Sequence, residues 1–326
     1  MKRVARLLPL FAVLAAQVAV ASETPPSFLL QWGSPGPGNG EFAYPRGVAT
    51  DVAGNVYIAD QNNDRIQKFT NNGVYVSQWG TFGTGNGEFE VPEDLAIGPN
   101  GHLYVLEAGN SRVQELTDTG GFVRTWGSAG TGSNEFNFPR SIGVDHAGNV
   151  YVTSGFAGTA ARIQKFSSDG TFLTQFGSDG SGNGQLNQPG GMGFDASDNL
   201  YVADFGNHRV QKFSSAGSYL GQWGSHGVGD GQFDFPEDVA VSSSGVVCAV
   251  DVFRVQAFKT DGTFLTSWGT YGSGDGQFEG IVGVAIDGTG NVFVTDGTQH
   301  DATKFGGDSV VPVETTSWGR IKARYR

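Results

Sequence analysis

Cysteine is nearly absent. Cys248 is the only one in 326 residues, so no internal disulfide can form and stability has to come from packing. The same scarcity excludes a cysteine-rich zinc module. Basic residues are also few: 20 Lys and Arg stand against 32 Asp and Glu, a net charge of −12. A chain this acidic repels phosphate backbones, which argues against nucleic-acid binding. No long hydrophobic run is present either. The longest, LLPLFAVLAAQVAV near the N-terminus, is too short for a membrane-spanning helix. No Gly-rich phosphate loop precedes a helix, and no Ser-His-Asp arrangement can be argued from spacing. The five histidines are too scattered to form an evident metal triad.

What is present begins with an export signature. A basic MKRVAR, the apolar run and small residues at Ala19 and Ala21 read as a signal peptide over residues 1–22. Its removal takes Lys2, Arg3 and Arg6 and leaves a net charge of −15. A secreted, periplasmic or cell-surface protein is expected, not membrane-spanning after cleavage and monomeric.

The rest of the chain repeats itself. An aromatic-Gly pair recurs at Trp32, Trp79, Trp126, Phe176, Trp223 and Trp268, at intervals of 47, 47, 50, 47 and 45 residues. A period near 45 marks stacked copies of one supersecondary unit. Each copy reads as four short strands separated by Asn, Asp and Gly turns, as in RGVATD, NVYIAD, RIQKF and VYVSQWG. The pattern predicts an all-β, six-bladed β-propeller over residues 28–305 with four antiparallel strands per blade. One row, Ala49, Ala96, Gly143, Gly193, Ala240 and Ala285, is small throughout, as crowding near a central axis requires. FLLQWG at residues 28–33 has the form of a fourth strand without a blade. It is expected to complete blade six and seal the ring, so that Leu29→Pro would open it. Residues 306–326 form a basic tail outside the repeat.

YVADFGNHRVQKF (201–213) and YIADQNNDRIQKF (57–69) closely resemble the signature of NHL-repeat propellers, a TolB-like six-bladed class. Blades five and six depart from it, mainly in the loop. The resemblance implies the fold; function varies across the family, which includes binding modules, receptor sensor domains and a few enzymes. One is a zinc-dependent amidating lyase with convergent histidines. Related six-bladed rings of the SMP-30/gluconolactonase kind hydrolyse lactones with carboxylates around a divalent metal.

Blade three gains three residues at TSGFAGTAAR and blade five loses two at DVFR, both between the second and third strands. Length changes in one loop class point to one face, often the binding face. The innermost strands bring Arg46, Glu93, Asp94, Arg140, Glu237 and Asp238 to a channel mouth on that face. Glu237 and Asp238, flanked by Gly190 and Val282 instead of arginines, are expected to lack a cationic partner and to favour Ca²⁺ or a cationic or polyhydroxy ligand. Acid–Arg pairs such as Asp60/Arg65 and Asp204/Arg209 are expected to brace hairpins. Blade three has Ser154 in place of the acid, which should leave Arg162 free. Blade six has Asp301 in place of the Arg, which should leave Asp296 unpartnered. The expectation is a binding scaffold for a protein, carbohydrate or other small-molecule partner. The alternative is a metal-assisted lyase or lactone hydrolase acting in the funnel.

Overall fold

The computed structural model describes residues 24–156 and 158–306; the expected signal peptide over residues 1–22 and nearly all of the basic tail lie outside them. Six four-stranded antiparallel sheets stand around one axis. Blade one is typical, with β2 (Pro45–Thr50) innermost, then β3 (Val56–Asp60), β4 (Arg65–Phe69) and β5 (Tyr75–Trp79). Second strands are buried on both faces because each sheet is sandwiched between two others, and β3 is buried along its whole length. Six separate apolar clusters fill the spaces between blades.

The ring closes as the phase of the repeat requires. β1 (Phe28–Trp32) pairs antiparallel with Asp301–Phe305, so blade six combines one N-terminal and three C-terminal strands. Trp32 then packs against Phe293 of blade six and Phe69 of blade one. Leu29, however, falls at a β-bulge and is half exposed. A proline there tests closure poorly.

The aromatic-Gly signature has a steric cause. Gly33, Gly80, Gly127, Gly177, Gly224 and Gly269 all have φ between 85° and 110°. A Cβ at any of them would come within 2.3–2.9 Å of the buried Phe or Leu of the following connection, Phe42 and Phe89 among them. Only glycine combines that backbone with that contact.

The acid–Arg pairs are braces. Arg65 Nε lies 2.7 Å from Asp60, and Arg209 Nε lies 2.7 Å from Asp204. Each guanidinium also donates to carbonyls of the preceding inter-blade connection, as Arg65 does to Pro37, Gly38 and Glu41. Of the two broken copies, blade six departs from expectation, while Arg162 of blade three has no acid partner among the described residues. Asp296 is satisfied by four backbone N–H groups, those of Glu279, Gly280, Thr298 and Gln299. Arg162 is held by the carbonyls of Thr131, Gly132 and Glu135. Cys248, opposite Ala240 where blades one to four place Tyr and blade six Phe293, is buried, and burial pushes its thiol up to about 12. It fills core and is not a nucleophile.

Candidate functional site: the channel mouth and its aromatic pocket

The first residues of the innermost strands converge on one constriction. Arg46, Glu93, Asp94, Arg140, Glu237 and Asp238 line it together with Gly47, Ser141, Gly190, Gly191 and Val282. The free volume is about 10 Å³, room for roughly one water. Closure is what brings these residues together, since they come from all six blades.

Glu237 is not unpaired. Arg140 Nη2 reaches across the channel to Glu237 Oε2 at 2.6 Å, and Arg46 Nη2 lies 3.9 Å from the same oxygen. Sequence neighbours mislead here because the mouth is narrow enough for alternate blades to touch. Arg46 also pairs with Glu93 at 3.0 Å, and Gln61 Nε2 donates to Glu93 at 2.5 Å. Burial works to lower the proton affinity of Arg46, but Glu93 and Glu237 outweigh it and raise it. Burial raises Glu93 despite the two arginines.

The aspartates lie deeper. Asp94 accepts from Ser141 Oγ at 2.7 Å and from the N–H groups of Ile142 and Leu95. Asp238 accepts from the N–H groups of Val239 and Val284 at 2.7 and 2.8 Å, with Gly283 where Asp94 has a serine. Burial raises Asp94 to about 6; burial and the charge of Asp94 raise Asp238 well above the carboxylate range. Both oxygens of Asp238 are thus engaged, and Glu237 is committed to Arg140. The argument for Ca²⁺ at this pair loses its premise of free oxygen ligands.

A larger cavity opens beside the constriction on the loop-rich face. It measures about 570 Å³ and shares Arg46, Glu93 and Arg140 with the mouth. Its walls include Phe138, Phe156 and Phe205. Phe138 and Phe156 stand 5.7 Å apart and are 63% and 51% exposed, and Arg140 lies 4.7 Å over the ring of Phe205. Only Nη2 of Arg140 forms a hydrogen bond among the described residues. These aromatics are missing from the residues singled out by sequence. The signal was the three-residue gain in blade three, which lengthens its hairpin to Val150–Phe156 and Thr159–Phe166 and raises Phe156 over the pocket.

The histidines do not build a central metal triad. His102 and His146 contact Glu115 and Asp198 in first-to-second-strand turns on the opposite face. His300 Nδ1 accepts from Tyr44 N–H. His208, His226 and Asp234 do gather, with ligand atoms within 4.8 Å of one another. Yet His208 Nδ1 accepts from Phe235 N–H, the counterpart of the His300–Tyr44 contact. That bond puts the proton of neutral His208 on Nε2, so the cluster lacks its third lone pair.

An all-β ring of six blades around a polar mouth defines the class. The NHL repeat model matches residues 42–69, 89–116 and 186–213, spanning blades one, two and four. The protein is an NHL-repeat six-bladed β-propeller. No curated protein is matched by the sequence. Among solved structures it is similar to a gluconolactonase from Xanthomonas campestris, at 15% identity and TM-score 0.60, covering 81% of this chain and 86% of that one. It is also similar to virginiamycin B lyase from Staphylococcus aureus with quinupristin, at 14% identity and TM-score 0.57, covering 83% and 82%. A chain of a nidogen/laminin complex matches at 21% identity and TM-score 0.52, covering 69% and 80%. At these identities the likeness is one of fold.

Proposed function

We propose that this is an exported binding protein that captures a small polar ligand, of carbohydrate type, in the aromatic pocket beside the channel mouth. The observation that carries the reading is the pairing of exposed Phe138 and Phe156 with Arg46, Glu93 and Arg140 around one cavity of about 570 Å³. Exposed aromatics in a concave site supply stacking faces, and the few charged groups at the base fix orientation. The volume lies within the range of roughly 300–1,000 Å³ usual for small-molecule sites. Secretion to the periplasm, cell surface or medium belongs to this proposal.

Thermal-shift screening of mono- and disaccharides and sugar acids, followed by calorimetry, tests it. Phe156→Ala should weaken any hit at least tenfold while leaving stability within about 0.5 kcal/mol, because the side chain is exposed. A hit that binds Phe156→Ala unchanged would move the site elsewhere.

The second reading is a metal-assisted lyase or lactone hydrolase. What favours it is the pair Asp94 and Asp238, whose raised proton affinity suits acid–base work. What opposes it is the constriction of about 10 Å³, which admits no substrate to those carboxyls. Hydrolysis of an aldonolactone that depends on added divalent metal and is lost in Asp238→Asn would favour the enzyme.

A further inference from the structure

Blade three lacks a carboxylate that its neighbours use as a hub. In blade one, Asp60 accepts from Arg65 Nε, Gln67 Nε2 and the backbone N–H of Ala43. Glu107 and Asp204 collect the equivalent donors in blades two and four, including the N–H groups of Glu90 and Asn187. Asp251 does so in blade five with Arg254 and Asp234 N–H. In blade three the hub is Ser154, paired with Arg162 across the hairpin.

The donors remain. Arg162 Nε and Ser154 Oγ are both buried without a hydrogen-bond partner, and the residues are 6% and 0% exposed. Gln164 Nε2 bonds only Glu135 O, where Gln67 and Gln211 also bond the hub. Asn137 N–H, at the position of Ala43, has no acceptor among the described residues. Asp179 does not fill the place, since its Oδ1 takes Ala161 N–H at 3.1 Å. Four donors, one of them on a buried guanidinium, therefore surround a position that other blades fill with one negative charge. A buried cation without a counter-charge is costly, and the buried donors around it add to that cost.

We propose that blade three binds a small monovalent anion, chloride or a carboxylate group, in the place of the missing side-chain carboxylate. The anion takes hydrogen bonds from Arg162 Nε, Gln164 Nε2, Asn137 N and Ser154 Oγ, and it ties the lengthened hairpin to the connection before it. Asn137 also lines the aromatic pocket, so the anion braces one wall of that pocket from behind. The site is distinct from Arg140 and the channel mouth, and it stands whether or not the pocket binds sugar.

Melting temperature measured at constant ionic strength in sodium chloride, formate and methanesulfonate tests the proposal. Methanesulfonate is too bulky to take the place of a single side-chain carboxylate. Wild type should melt higher in chloride or formate than in methanesulfonate, with a saturable dose response. Response to chloride alone marks a halide site; response to formate marks a carboxylate site. Ser154→Asp supplies the charge internally and should abolish the difference. Arg162→Gln removes the cation and should abolish it too, so the test survives if either variant folds poorly. Identical melting in all three salts would mean that water fills the position and would overturn the proposal. A response retained in Ser154→Asp would overturn it as well.

Discussion

Asp301→Asn should make the propeller more stable, and only above mildly acidic pH. Asp301 stands in blade six where blades one to five place an arginine. It is 6% exposed, Gln31 of the closing strand donates to its Oδ2, and its Oδ1 has no partner. Burial, with Asp296 adding repulsion, raises its carboxyl from 3.8 to about 7. A carboxyl raised on folding keeps its full contribution below the unfolded value and loses it as pH climbs to the folded one. Wild-type stability should therefore decline between about pH 4 and pH 7 from this group. Three units at about 1.4 kcal/mol each set a ceiling near 4 kcal/mol. Asparagine keeps an acceptor for Gln31, offers an N–H₂ in place of the orphaned oxygen and cannot ionise. The variant should match wild type at pH 4 and melt higher at pH 8, by up to roughly 8 °C for a chain of this size. Calorimetric scans of both proteins from pH 4 to pH 8 measure the difference, in which all other carboxyls cancel. Parallel curves across that range would refute the reasoning.

Two further outcomes follow from the packing. Gly191→Ala would place a Cβ 1.6 Å from Asp238 Oδ1 and 2.7 Å from its Cα, so denaturant unfolding should show a loss of about 3 kcal/mol or more. Gly221→Ala, with nothing within 4 Å, should stay within about 0.5 kcal/mol. Deleting residues 24–33 removes β1 and the Trp32 contacts to Phe69 and Phe293, so stability should fall by at least about 3 kcal/mol. Limited proteolysis should then cut near Asp301–Phe305, and an uncut, equally stable deletion would deny that β1 seals the ring.

The repeat made the ring legible because the copies carry recurring constraints: a glycine forced by a buried Phe or Leu and a small residue at the axis in all six, and an acid–Arg brace in four. Phase alone then assigned β1 to blade six. The mouth was legible only as a set of positions. Which charges meet there depends on the width of the channel, and Arg140 reaching Glu237 cannot be inferred from residues flanking either one. The aromatic pocket was hidden for a related reason. Phe138 lies in the connection entering blade three, Phe156 in the hairpin of blade three and Phe205 in blade four, and only the longer hairpin hinted that this sector differs. The orphaned donors around Ser154 were half visible as a broken pair. Their number emerges only when backbone N–H groups are compared across blades.

The account depends on six copies closing so that blades three and five, two places apart in the ring, meet at the axis. A double-mutant cycle on Arg140→Met and Glu237→Gln tests that contact, 97 residues apart in sequence and 2.6 Å in space. Unfolding free energies at neutral pH should reveal a coupling between about 0.5 and 3 kcal/mol. Strict additivity of the two substitutions would contradict the closed ring and the site built on it.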